Sequence, residues 1–167
     1  MPSNNPRETA RITKRSLLDT IRRDREEFDA VIARVPPARM EEVDLAADGW
    51  SVKDVLWHIA WGDRQNEAVI HAKAPVGSDL WDLSEDERNA VVVREGRSRS
   101  LDEVIGEYRQ SYAAFLSALE RLSDADLTDA ARWQGFATRV PGWHPWRVLY
   151  DPEHYKLHGG WIKDRLR

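Results

Sequence analysis

Apolar positions along the chain recur at helical spacing in four long stretches, and strand-like alternation of apolar and polar residues is nearly absent. The first stretch runs over about 7–35, with Asn5 as candidate N-cap, Pro6 at the first helical position and Glu8 placed to reach back in a capping box. Its apolar line is Ile12, Leu17 or Leu18, Ile21, Phe28, Val31 and Ile32, and Pro36-Pro37 ends it. After a polar connection, Ser51 with Asp54 three positions later marks a second helix running to about Ala72, with His58 in its middle. The long connection over 75–100 holds a short helix capped by Ser84, with Arg88 and Asn89 inside it, and connections of this length usually cover something. Ser100 and Glu103 open the third helix, whose stripe is Leu101, Val104, Ile105, Tyr108, Tyr112, Phe115, Leu116, Leu119 and Leu122. The last helix carries His154 and His158. Its start has two readings: Asp151-Pro152 as N-cap and first residue after an irregular lead-in, which we prefer, or a helix from Pro145 kinked at Pro152. Together these elements predict an all-α fold, a four-helix bundle forming one domain over 1–167, with a long helix 2 to helix 3 connection containing a short helix.

Composition narrows the chemistry. At 167 residues, 41% hydrophobic and 32% charged, the chain is long enough to bury a core and reads as an ordinary soluble globule. The formal charge is −4, and its 25 Lys and Arg are interleaved with 29 Asp and Glu instead of forming a basic stripe, which argues against nucleic acid as a partner. There is no cysteine, so disulfides, thiolate metal sites and cysteine nucleophiles are excluded together, and a metal would be bound through N and O. No apolar run approaches the roughly 20 residues of a membrane span, and residues 1–11 lack the apolar stretch of a signal peptide. The expected location is the cytoplasm, with no membrane partner.

The candidate chemistry lies with three histidines. His154 and His158 are four apart, so they share one helix face one turn apart and can address the same ion. His58, on the second amphipathic helix between Trp57, Ile59 and Trp61, is the natural third ligand. Three neutral imidazoles suit zinc, nickel or iron(II) and leave coordination positions open for water or substrate. The competing reading makes His58 a core histidine bonded to a backbone carbonyl and puts the other two on a solvated face. His71, near a helix end, and His144, before Pro145, stay outside the ligand set. Many of the eight tryptophans lie near these histidines: Trp57 and Trp61, then Trp143, Trp146 and Trp161, as pocket walls or simply as filling between helices.

Two segments carry a family resemblance: Gly49-Trp50-Ser51-Val52-Lys53-Asp54-Val55-Leu56-Trp57-His58-Ile59-Ala60, and the later His154-x-x-x-His158. In order and placement they resemble the DinB-like superfamily of metal-dependent four-helix bundles. Trp61-Gly62 and Val140-Pro141-Gly142-Trp143-His144-Pro145-Trp146 further resemble its ClbS/DfsB branch. The resemblance implies a divalent metal on His58, His154 and His158, and a homodimer. It implies either a metal-dependent transferase or hydrolase, which activates a low-molecular-weight thiol or water for attack on a small electrophile, or a self-resistance protein that sequesters a small molecule. A third reading is a helical interaction module that binds metal incidentally. If the metal faces into the bundle, Trp61, Trp146, Tyr155 and Trp161 are candidate pocket walls. From helix spacing, Asp54 or Gln65 would lie near the site, Asp151 or Glu153 would orient an imidazole, and Gly62 would either leave room over the metal or permit close packing.

Overall fold

A computed structural model describes residues 12–47, 49–76, 79–135 and 144–167. Seven α-helices run through these residues: α1 (Lys14–Ile32), α2 (Val52–Ala72), α3 (Glu85–Arg97), α4 (Leu101–Glu120), α5 (Asp124–Thr128), α6 (Pro145–Leu149) and α7 (Pro152–Arg165). Short 3-10 turns at Pro37–Arg39, Asp79–Asp82 and Ala130–Arg132 join them. Among the described residues there is no strand beyond an isolated bridge between Ala47 and Trp50. The architecture is an all-α bundle of α1, α2, α4 and α7, with α3 laid over α2 as the expected short helix of the long connection. No helix among the described residues is long and apolar enough to cross a membrane.

Local chemistry sets most boundaries. Ser51 and Asp54 form a reciprocal capping box at the start of α2, as do Ser84 with Glu87 at α3 and Ser100 with Glu103 at α4. The first helix differs from expectation. Asn5, Pro6 and Glu8 lie outside the described residues, and α1 starts at Lys14, because Thr13 is extended and closes its own capping box with Ser16. At the other end of the chain both halves of the alternative appear, but as separate helices. The single turn α6 starts at Pro145, Tyr150 is extended at φ −152° and ψ 125°, and α7 starts at Pro152 with Asp151 as N-cap. A continuous helix would need the pre-proline residue in the α region and an N–H that Pro152 lacks.

Helix α2 is buried on almost every side, from Val52 to Ile70, which is the pattern of a central helix. It packs on α4 across one face and on α3 across another, while α7 packs chiefly on α1. Between them lies a core that includes Leu17, Ile21, Phe28, Val55, Leu56, Phe115, Leu119, Leu149 and Ile162, all but excluded from solvent. Burying each such side chain stabilises the fold by about 1.5–3 kcal/mol. His58 projects from α2 where that helix faces α7.

Candidate metal centre

The structure brings His58, His154 and His158 together. Ring centroids are 5.1 Å apart for His58 and His154, 5.3 Å for His58 and His158, and 4.7 Å for His154 and His158. The Nε2 atoms of His58 and His154 are 3.0 Å apart, and one ring nitrogen from each of the three lies within 4.8 Å of the others. Two elements aim these rings. The capping box at Ser51 sets the phase of α2, and Asp151, which accepts the Glu153 N–H, sets that of α7. The one-turn spacing of His154 and His158 then stacks their imidazoles opposite His58.

Burial holds the group neutral. Desolvation first, and then His154 and Arg88, push the His58 imidazole down to about 3, and desolvation with the other two histidines pushes His158 down to about 2. The same desolvation lowers His154, with Asp151 and Glu85 acting against it. Neutral imidazole is the form that ligates a metal. The reading of these residues as ordinary core or surface histidines fits the geometry poorly. His58 has no backbone carbonyl partner, its Nδ1 and that of His158 are buried without any hydrogen bond, and His158 is 4% exposed. Three converging, uncharged nitrogen donors fit a divalent ion of the zinc, nickel or iron(II) type.

Two cavities each border two or more of the three histidines. One, of about 410 Å³, is bordered by all three histidines, Trp50, Leu157 and Trp161. The other, of about 300 Å³, is bordered by His58, His154, Trp61, Trp81, Arg88 and Asn66. Glu85 and Asn89 of α3 border both. The long connection thus covers the site with α3.

Of the four expected aromatic walls, the structure places two on these cavities. Trp61 tilts against Trp81 with centroids 5.4 Å apart, and Trp161 meets His158 edge-on at 5.2 Å. Tyr155 borders neither of these two, though it lines a hollow of about 60 Å³ with His154 and Asp63. It turns into the core against Phe28, and its hydroxyl accepts from Arg25. The reason is rotation: one residue after His154 points about 100° away around the helix. Trp146 is buried on α6 and borders neither cavity, with Arg147 over its ring. Trp57, one residue before His58, likewise faces away, toward Gly96 of α3. Trp143 lies outside the described residues.

Two aromatics escaped the sequence reading. Trp50 stacks on His158, with ring planes 16° apart, and meets the His58 ring edge-on. Its place immediately before the Ser51 cap was the available signal. Trp81 comes from the covering connection and had none. Asp54 is not at the metal centre: it completes the α2 cap and pairs with Arg97 at 2.9 Å. Gln65 borders neither cavity, Glu153 pairs with Lys156, and Asp151 borders the smaller one. A Cβ on Gly62 would meet nothing within 4 Å, so this glycine is not demanded by packing and leaves space beside the smaller cavity.

The family model of the DinB superfamily matches residues 20–162, a span that takes in all three histidines. No curated protein and no solved structure matches the chain.

Proposed function

The chain belongs to the DinB superfamily, and from that premise and the three-imidazole cluster we propose that it is a metal-dependent enzyme, activating a thiol or water for attack on a small electrophile. The observation that carries this reading is the pair of cavities meeting at His58 and His154, which gives two reactants separate approaches to one centre. A divalent ion held by His58, His154 and His158 would supply Lewis acidity, lowering the pKa of a thiol or water at the site.

The protein's own groups do the rest. Trp50 and Trp161 flank His158 and give one approach an aromatic wall beside the histidine cluster. Trp61 and Trp81 form an angled aromatic wall on the other, suited to a planar electrophile. Glu85 is the carboxylate common to both cavities, and this reading assigns it the proton that the nucleophile releases as its new bond to the electrophile forms.

Elemental analysis of the purified protein and of His58→Ala and His154→Ala tests the centre. We expect close to one divalent ion per chain, largely lost in both variants; unchanged content in both would sink the assignment. A panel of low-molecular-weight thiols against a chromogenic aryl halide then tests the reaction. Thiol-dependent turnover is expected, lost with the metal. Tight ligand binding without turnover would instead mark a sequestering protein.

A further inference from the structure

The smaller cavity is bordered by a cation that pairs with neither of the carboxylates there, Glu85 and Asp151. Arg88 is half-buried on α3 and borders the cavity beside His58, His154, Trp61 and Trp81. Its guanidinium lies 5.2 Å from the Trp81 ring centroid and makes no hydrogen bond or ion pair among the described residues. Other arginines around α2 are matched: Arg64 with Glu107 at 3.0 Å, Arg97 with Asp54 at 2.9 Å, and Arg25 with Asp29 at 3.2 Å. Arg147, at the rim of the same cavity, lies over Trp146. The first turn of α3 offers Glu85, Asp86 and Glu87, yet none of them pairs with Arg88. The charge of Arg88 is felt at His58, where it opposes a second positive charge.

A partly desolvated, unpaired guanidinium is costly unless something with negative charge completes it. We propose that this cavity is a carboxylate-recognition pocket in which Arg88 holds the acid group of a small planar substrate beside His58 and His154. The inference rests on the reading of the site as an enzyme for what happens next, but not for the binding itself.

Three features set the ligand class. A guanidinium held over an indole keeps its N–H edges available, and that planar fork matches a carboxylate in bidentate fashion. The Trp61 and Trp81 faces favour a flat, unsaturated or aromatic body over a bulky one. Arg88 and Arg147 share the border with two carboxylates, Glu85 and Asp151, so a monoanion suits the cavity and a dianionic phosphate is opposed. At about 300 Å³ it is at the small end of ligand pockets. Asn89, on the same face of α3 as Glu85, also borders the cavity and brings a carboxamide to its wall.

Benzoate and benzamide are a planar pair of matched shape that differ in charge, and their binding is read by quenching of tryptophan fluorescence. The wild-type protein should bind benzoate about ten-fold more tightly than benzamide. Arg88→Met should abolish that preference, and Arg88→Lys should retain part of it, with the same metal content in all three. Equal binding of the two probes, binding of neither, or an unchanged preference in Arg88→Met would each overturn the proposal. The same titration on His58→Ala separates this from the metal reading. A preference that survives there and is lost in Arg88→Met places the carboxylate on Arg88 whether or not the protein holds a metal. A preference lost in His58→Ala but kept in Arg88→Met would place it on the ion and overturn the assignment to Arg88.

Discussion

Asp63 is a carboxylic acid placed where ionisation is expensive. It sits on the core side of α2, 6% exposed, 3.7 Å from Arg25, with Oδ2 accepting no hydrogen bond. Arg25 is spread over other partners: its Nη2 donates to the Tyr108 carbonyl at 3.0 Å, its Nε to Asp29 at 3.2 Å, and its plane lies 3.5 Å from the Tyr108 ring centroid. Desolvation therefore wins over the attraction of Arg25 and pushes the Asp63 carboxyl up to about 7. A carboxyl raised in the folded state contributes stability that is complete below its unfolded value and is lost as pH rises through its folded one. Asp63→Asn cannot ionise, so it escapes that loss. Measured by urea unfolding, its stability relative to wild type should rise between about pH 4 and pH 7, by of order 2–4 kcal/mol, and then level off. A difference independent of pH would show that Asp63 is ionised throughout. The sequence held a trace of this network. Asp24 and Arg25 fall three and four residues after Ile21, inside the apolar stripe of α1, and both are buried. Only the fold shows that Tyr150 donates to Asp24 and that Arg25 meets α2 and α4.

Among the elements, α3 is the one whose position decides the site, and Gly96 sets how closely it approaches α2. A Cβ added there would lie 2.5 Å from Cγ of Trp57 and 2.6 Å from its Cδ1, both in a buried ring that has nowhere to go. Gly96→Ala should therefore destabilise by about 1–3 kcal/mol, although alanine is the better helix former by roughly 1 kcal/mol. Gly62→Ala is the contrast, since nothing lies within 4 Å of its Cβ. It should leave the unfolding midpoint unchanged or raise it. A larger loss at Gly62 than at Gly96 would contradict this account of how the two helices meet. Element starts were largely legible because capping is local chemistry: Ser51, Ser84, Ser100 and Asp151 each announce a helix from a few residues. The start of α1 was not, because Thr13 caps with a serine at the third position where glutamate or glutamine is the usual signal. The histidines were legible through their spacing and helix. The walls were only half so, because the face an aromatic presents depends on its rotation about the helix. Trp61 and Trp161 follow a histidine by three residues and share its face, while Tyr155 and Trp57 are one residue away and do not.

Across the whole molecule, the candidate centre lies at a seam. Helix α7 packs mainly on α1, and α2 on α3 and α4, so direct packing between α2 and α7 is sparse. What faces across that seam is His58 on one side with His154 and His158 on the other. The face that α7 buries is short, made of Tyr155, His158, Gly159 and Ile162, and it follows a break in the chain at Tyr150. An ion bound by all three histidines would tie the last helix to the central one, stabilising the folded state by about 2.7 kcal/mol when free metal stands at 100 times its dissociation constant. Without it, the rings are linked by the His58–His154 Nε2 contact at 3.0 Å, and the Nδ1 atoms of His58 and His158 stay buried without partners. Removal of metal by a chelator should therefore lower the melting temperature and speed amide hydrogen exchange in α7, while exchange in α4 and the core of α2 stays slow. His158→Ala should reproduce the exchange pattern of the chelated protein and respond no further to chelator. Uniform loss of protection along the chain would mean that the ion supports the whole core. No change on chelation, in protein shown to contain metal, would mean that α7 is anchored by its packing on α1 and the Arg25–Tyr155 hydrogen bond.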